Sequence, residues 1–189
     1  DLGRSVTYRM IRTLEDHRLV VRDASGRLTG GTQLVVLAGG VSAEMKAIAA
    51  PILTDLANTL EMTSFLVVPE DQEAVTVQVA EPTSTAAHVA YRPGTRHPLD
   101  RGAPGIALLA GLDPQPNERA EVTTARNSGW AYSEGEVIKG MASIAAPITT
   151  NGGTTKAAVA VVHLALSLNS HDVAPLVVSA ANTLGLKLS

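Results

Sequence analysis

Residues 142–166 read ASIAAPITTNGGTTKAAVAVVHLAL. Two apolar runs, 142–149 and 155–166, are rich in Ala, Val and Ile. Between them, Asn151-Gly152-Gly153 is a turn signal of the kind that joins antiparallel strands. The pair is read as the centre of a sheet. Outward from it, residues 64–68, 73–80 and 87–91 have strand character, clearest where Val75, Val77 and Val79 alternate with polar neighbours. Residues 130–133 begin a further strand, and 92–98 form a Gly/Pro loop. Helical spacing surrounds these runs. Ser42 is a candidate N-cap for a helix with Met45, Ile48, Ala49, Ile52, Leu56 and Leu60 on one face. A short helix is predicted over 103–112 and a weaker one over 117–127. The last helix runs from 170 to about 184 and turns Val173, Leu176, Val177, Ala180 and Leu184 inward. Strands bracketed by helices give an α+β domain, an antiparallel sheet with helices packed on it.

The first thirty residues have a different character. Val6, Met10, Ile11 and Leu14 form one face of a helix over 4–17, and Arg4, Ser5, Tyr8, Arg9 and Arg12 occupy the other. Residues 19–22 and 27–29 read as two short strands about the turn 23–26. A helix with Arg and Tyr on its polar side, followed by a tight hairpin, is what a winged helix-turn-helix presents to double-stranded DNA. Arg27 lies beside the hairpin tip, where a wing can reach the phosphate backbone. Gly30-Gly31 and Gly39-Gly40 then flank a short apolar helix over 32–38. Three parts are expected: the end of a DNA reader over 1–31, a linker helix over 32–41, and a sensing domain over 42–189. Since residue 4 opens directly into a helix, the reader is expected to be partial.

Composition agrees with this division. Of 189 residues, 45% are hydrophobic and 17% charged, so the chain can bury a core; at 3% aromatic, that core must be made largely of small side chains. Net charge is −3, but residues 1–30 carry six Arg against four acids, while the remainder carries nine bases against fourteen acids. A basic end on a mildly acidic body suits contact with a polyanion at that end. The absence of Cys excludes disulfides, thiolate metal sites and a thiol nucleophile, and fits the cytoplasm. No run approaches the ~18 apolar residues of a membrane span. The five His show no ligand spacing, and no phosphate-binding loop or nucleophile elbow is present. Neither a metal, a cofactor nor an enzymatic activity is expected. Glu134 and Glu136, two apart in a turn, are read as solvated.

Three stretches carry a resemblance. LGRSVTYRMIRTLE at 2–15 resembles the recognition helix of IclR-family transcription regulators. GTRHPL at 94–99 running into GAPGIALLA at 102–110, and GWA, EGE and GMASIAAPI within 129–148, resemble that family's effector domain. They occur in the family's order. The departures are Val6-Thr7, where the family usually has Thr then Val, and Ile106, where Lys is usual.

The resemblance implies a GAF-like effector-binding domain behind a partial winged helix-turn-helix. It also implies operator DNA and a small organic or aromatic acid as ligands, with self-association into dimers or tetramers that the helix over 32–38 helps to join. It places the effector near Gly102, Ala103, Ser133 or Glu134, Ser143, Ala160 and Val162. Backbone N–H groups at Gly102 and Ala103 would suit a carboxylate, because a helix start presents unpaired donors; Pro104 has none to offer. Ser143 is expected to offer a hydroxyl. Ala160 and Val162 stand where the family's small-carboxylate sensors carry Ser, which implies a less polar ligand than glyoxylate or pyruvate. The alternative is a stand-alone small-molecule-binding or enzymatic α+β domain, with the N-terminal helix and hairpin as decoration.

Overall fold

The computed structural model describes residues 3–40, 43–85, 88–165 and 169–189. The chain divides into two compact units, Asp1–Glu44 and Met45–Ser189.

The first unit holds α1 (Arg4–Asp16), the strands β1 (Val20–Arg22) and β2 (Leu28–Gly30), and α2 (Thr32–Gly40). The strands form an antiparallel hairpin in which Val21 faces Thr29. Asp23 sets the turn: its Oδ1 accepts from the Ser25 N–H at 2.8 Å, the Ser25 hydroxyl at 2.6 Å and the Arg27 N–H at 2.9 Å. These bonds, the Ser25 hydroxyl first, hold the Asp23 carboxyl below its ordinary pKa. Glu15 pairs with Arg22 at 2.8 Å, tying α1 to the hairpin. No described residue of α1 is fully buried, and Val6, Met10 and Leu14 are exposed along its apolar stripe.

The division falls two residues into α3 (Ala43–Leu60); the second unit continues with β3 (Thr63–Glu70), β4 (Glu73–Ala80), β5 (Arg96–Pro98), α4 (Gly102–Ala110), α5 (Ala120–Ser128), β6 (Ala131–Glu134), β7 (Met141–Thr149), β8 (Thr155–Leu164) and α6 (Ser170–Lys187). The six strands make one antiparallel sheet in the order β5-β4-β3-β8-β7-β6. Side chains alternate across it. On one face Leu66, Ile144, Ile148, Val159 and Val161 pack with Leu53 and Leu56 of α3 and with Val173, Val177 and Leu184 of α6. On the other, Phe65, Val67, Ala145, Ala158, Ala160 and Val162 meet Ala103, Ile106 and Ala107 of α4 and Val122 and Ala125 of α5. Each fully buried Leu, Ile or Val contributes about 1.5–3 kcal/mol. The small residues of β7 and β8 under α4 let that helix lie close to the sheet, and Gly105 lets it approach the segment after β5, where a Cβ would collide with the Leu99 carbonyl.

The observed elements differ from the sequence expectations at particular points. Residues 88–91 form no strand, and Ala87 lies outside the described residues. Part of the expected loop over 92–98 pairs with β4, with His97 facing Ala74. Leu176 points outward at 42% exposure, while Ala174 and Ala181 fill the buried seam of α6. In α3 the fully buried positions are Ala49, Leu53, Leu56 and Ala57, with Met45, Ile48, Ile52 and Leu60 half-buried around them. The expected cap at Ser42, and the ends of the predicted linker and strand at Val41 and Leu166, lie outside the described residues. Among the described residues, no helix is long and apolar enough to cross a membrane.

Candidate functional site

Sheet register assembles one corner of the second unit. Ser133 of β6 faces Ser143 of β7, Ser143 faces Val162 of β8, and Val162 faces Thr63 of β3. Directly opposed residues share a face, so this row points toward the start of α4. The next row on that face is Ala131, Ala145, Ala160 and Phe65.

The start of α4 is held by groups of β6 and the turn after it. Gly102 has φ of +73°, a left-handed conformation that a side chain resists, and a Cβ there would lie 2.7 Å from Val137 Cγ2. The Gly102 N–H donates to Glu136 Oε2 at 2.8 Å, and the Ala103 N–H donates to Ser133 Oγ at 2.7 Å. Both donors that the sequence offered to a ligand carboxylate are therefore taken within the protein. Glu136 is not a free solvated carboxylate: Arg119 donates to it at 2.9 and 3.2 Å, and also to the Asp100 carbonyl at 2.6 Å. Arg119 first, and the Gly102 N–H after it, hold the Glu136 carboxyl below its ordinary pKa. An anion at a helix start is favoured by the helix dipole, and here the protein supplies it.

Above the serine row lies a narrow cleft whose cavity volume is about 30 Å³, so a ligand larger than water must part its walls to enter. Phe65, Tyr91, His97, Ser133, Ser143 and Val162 line it, and Val137, Ile138 and Met141 close it from the turn between β6 and β7 and the start of β7. Phe65 and Tyr91 are ring neighbours, their centroids 4.6 Å apart at 32°. Burial raises the pKa of the Tyr91 phenol. Among the lining residues Glu136 is the one carboxylate, and there is no Lys or Arg. A largely apolar cleft with a few placed polar groups is the usual form of a small-molecule site.

Residues 116–189 match the family model described as bacterial transcriptional regulator IclR, C-terminal. Over these residues the chain is similar to the C-terminal domain of IclR-type regulators. No curated protein matches the sequence. Among solved structures, an IclR homologue from Microbacterium hydrocarbonoxydans complexed with 4-hydroxybenzoate is 20% identical; the match covers 100% of this chain and 88% of that one, with a TM-score of 0.85. An IclR-type regulator from Alicyclobacillus acidocaldarius is 21% identical over 97% of this chain and 85% of its own, with a TM-score of 0.83. A regulator from Rhodococcus sp. RHA1 is 25% identical over 98% and 84%, with a TM-score of 0.77.

In the second unit, Gly102, Ser133, Ser143 and Val162 line the cavity. Ala103 contributes the N–H that Ser133 accepts. Ala160 is fully buried one row deeper, beneath α4. Glu134 follows Ser133 on the strand and so points to the opposite face, where its carboxylate accepts from the Tyr132 hydroxyl at 2.8 Å. The Ser143 hydroxyl, expected to donate, spends its proton on the Val161 carbonyl at 2.9 Å and retains its lone pairs. Phe65, Tyr91, His97 and Met141 are lining residues that the sequence did not single out for this role. In the first unit, Arg4, Ser5, Tyr8, Arg9 and Arg12 are all exposed on α1, and Arg27 is exposed beside the hairpin turn. Arg4, Arg9 and Arg12 have no ion pair among the described residues.

Proposed function

We propose that the chain is a ligand-responsive transcription regulator that senses a small organic acid with a flat apolar body. The cavity beside the serine row, inside an IclR-type domain, carries this reading. The tilted Phe65–Tyr91 pair favours a planar ring, and the related Microbacterium protein is complexed with 4-hydroxybenzoate. With the α4 donors occupied and no Lys or Arg in the lining, the ligand's carboxylate belongs at the mouth, since an unpaired buried carboxylate is costly.

The chain reads operator DNA through α1 and the hairpin. Arg4, Arg9 and Arg12 supply exposed charge, Ser5 and Tyr8 lie beside them, and Arg27 extends the surface from the hairpin. The exposed Leu34, Val36 and Leu37 of α2 support self-association into dimers or tetramers, which pairs two readers on two half-sites. The test is selection of duplexes from a random pool, followed by anisotropy titration with and without a panel of two-carbon to aromatic acids. A selected duplex whose affinity shifts with one acid is the expected result. Absence of any selected sequence, with gel filtration showing a strict monomer, would favour a stand-alone binding domain.

A further inference from the structure

One residue that lines the cavity, His97, has a buried polar atom without a partner among the described residues. His97 is 5% exposed, and its Nε2 is sealed from solvent without a hydrogen-bond partner among the described residues. Its other nitrogen is committed: Nδ1 lies 3.0 Å from the Pro98 carbonyl oxygen, which can only accept. In the neutral ring Nδ1 therefore carries the proton and Nε2 presents a lone pair. A buried acceptor with no donor is costly to maintain, and few are kept in folded proteins. The side chain is held in place because the short strand β5 pins His97 opposite Ala74 and its ring edge packs against the Gly102 turn.

The neighbouring polar groups complement it. Ser133 Oγ accepts from Ala103 and has its own proton to give, whereas Ser143 has donated its proton to Val161. Around His97 the serine row thus offers the Ser133 hydroxyl proton and the Ser143 lone pairs, beside a pair of rings.

We propose that His97 is a specificity-determining residue of this site, accepting a hydrogen bond through Nε2 from a hydroxyl on the ligand. The occupant is then a hydroxylated ring compound whose hydroxyl enters first. This rests on the reading of the cavity as the effector site, and extends it by assigning the inner end of the ligand a donor in place of a carboxylate.

Calorimetry on the full chain with 4-hydroxybenzoate and 4-fluorobenzoate tests it, because fluorine approximates the size of the hydroxyl but donates nothing. The expected result is at least about tenfold tighter binding of the hydroxy acid, equivalent to 1.4 kcal/mol. That preference should vanish in His97→Leu and return in part in His97→Gln, which restores an acceptor. Equal affinity of the two acids for the wild-type chain, or a preference that survives in a folded His97→Leu, overturns the proposal. Val162→Phe, which fills the cavity, separates the two failures. Equal affinities that are both lost in Val162→Phe refute the role of His97 and keep the cavity as the site. Absence of binding, or binding indifferent to a folded Val162→Phe, removes both.

Discussion

Ser133 and Glu136 do for α4 what N-cap side chains do for other helices, but from a distant strand and turn. The N-cap residue itself, Arg101, makes no side-chain capping bond. Ser133→Ala leaves the buried Ala103 N–H without its acceptor and should lower unfolding stability by about 1–3 kcal/mol in urea titrations. Glu136→Gln retains an acceptor for Gly102 but loses the charge facing Arg119 and the helix dipole; a smaller loss, about 0.5–1 kcal/mol, is expected for this partly solvated group. Acid sensitivity follows from the same residues. Arg126 holds the Glu118 carboxyl down at about 2, and Arg119 holds Glu121 and Glu136 below the ordinary range. A carboxyl whose pKa is depressed by folding contributes stability that is complete above its unfolded value, ~4.3, and is lost as pH falls toward the folded value. Stability should therefore be level from pH 7 to about 5 and decline from there toward 2. Glu118→Gln should flatten that acid limb in urea melts taken across the range. The sequence showed two carboxylates in a turn at 134 and 136, but it could not show Arg119 arriving from another element to claim one of them.

Strand β8 is the element on which both layers depend. Its odd positions, Ala157, Val159 and Val161, face α3 and α6; Ala158, Ala160 and Val162 face α4. Ala160→Leu should force α4 away from the sheet and cost about 1–3 kcal/mol, with a lower Tm in thermal melts, since an overpacked core must strain or shift. Leu53→Ala on the other face should cost about 2–5 kcal/mol by leaving a cavity. Elements with strong alternation were legible in the sequence: residues 73–80 were read as a strand with the bounds that β4 has. Elements that depend on partners were not. The strand β5 is three residues of a Gly/Pro segment made extended by pairing with β4, so His97 carried no periodic signal. In α6, Val173, Val177, Ala180 and Leu184 are buried as the spacing predicts, whereas the small Ala174 and Ala181 complete the seam that the larger Leu176, pointing outward, does not.

For the whole molecule, the second unit carries most of the pattern that was legible in the sequence. The Gly-rich turns and the start of α4 carry a family pattern because the backbone there has few alternatives: Gly102 needs positive φ, and Gly105 allows no side chain beneath Leu99. The residues that would choose a ligand come from β3, β5, β6, β7 and β8 and from the 91 region, and only the sheet register brings them together. If the cavity is the effector site, a bound acid must stabilise the folded chain by mass action, about 2.7 kcal/mol at a hundredfold excess over Kd. The most direct measurement is a crystal structure of the chain with the tightest-binding acid of the panel. The account predicts density lying against Phe65 and Tyr91, with a ligand hydroxyl within hydrogen-bond reach of His97 Nε2. A bound acid found elsewhere on the chain, with Val137 and Ile138 still closed over an empty cavity, would contradict it.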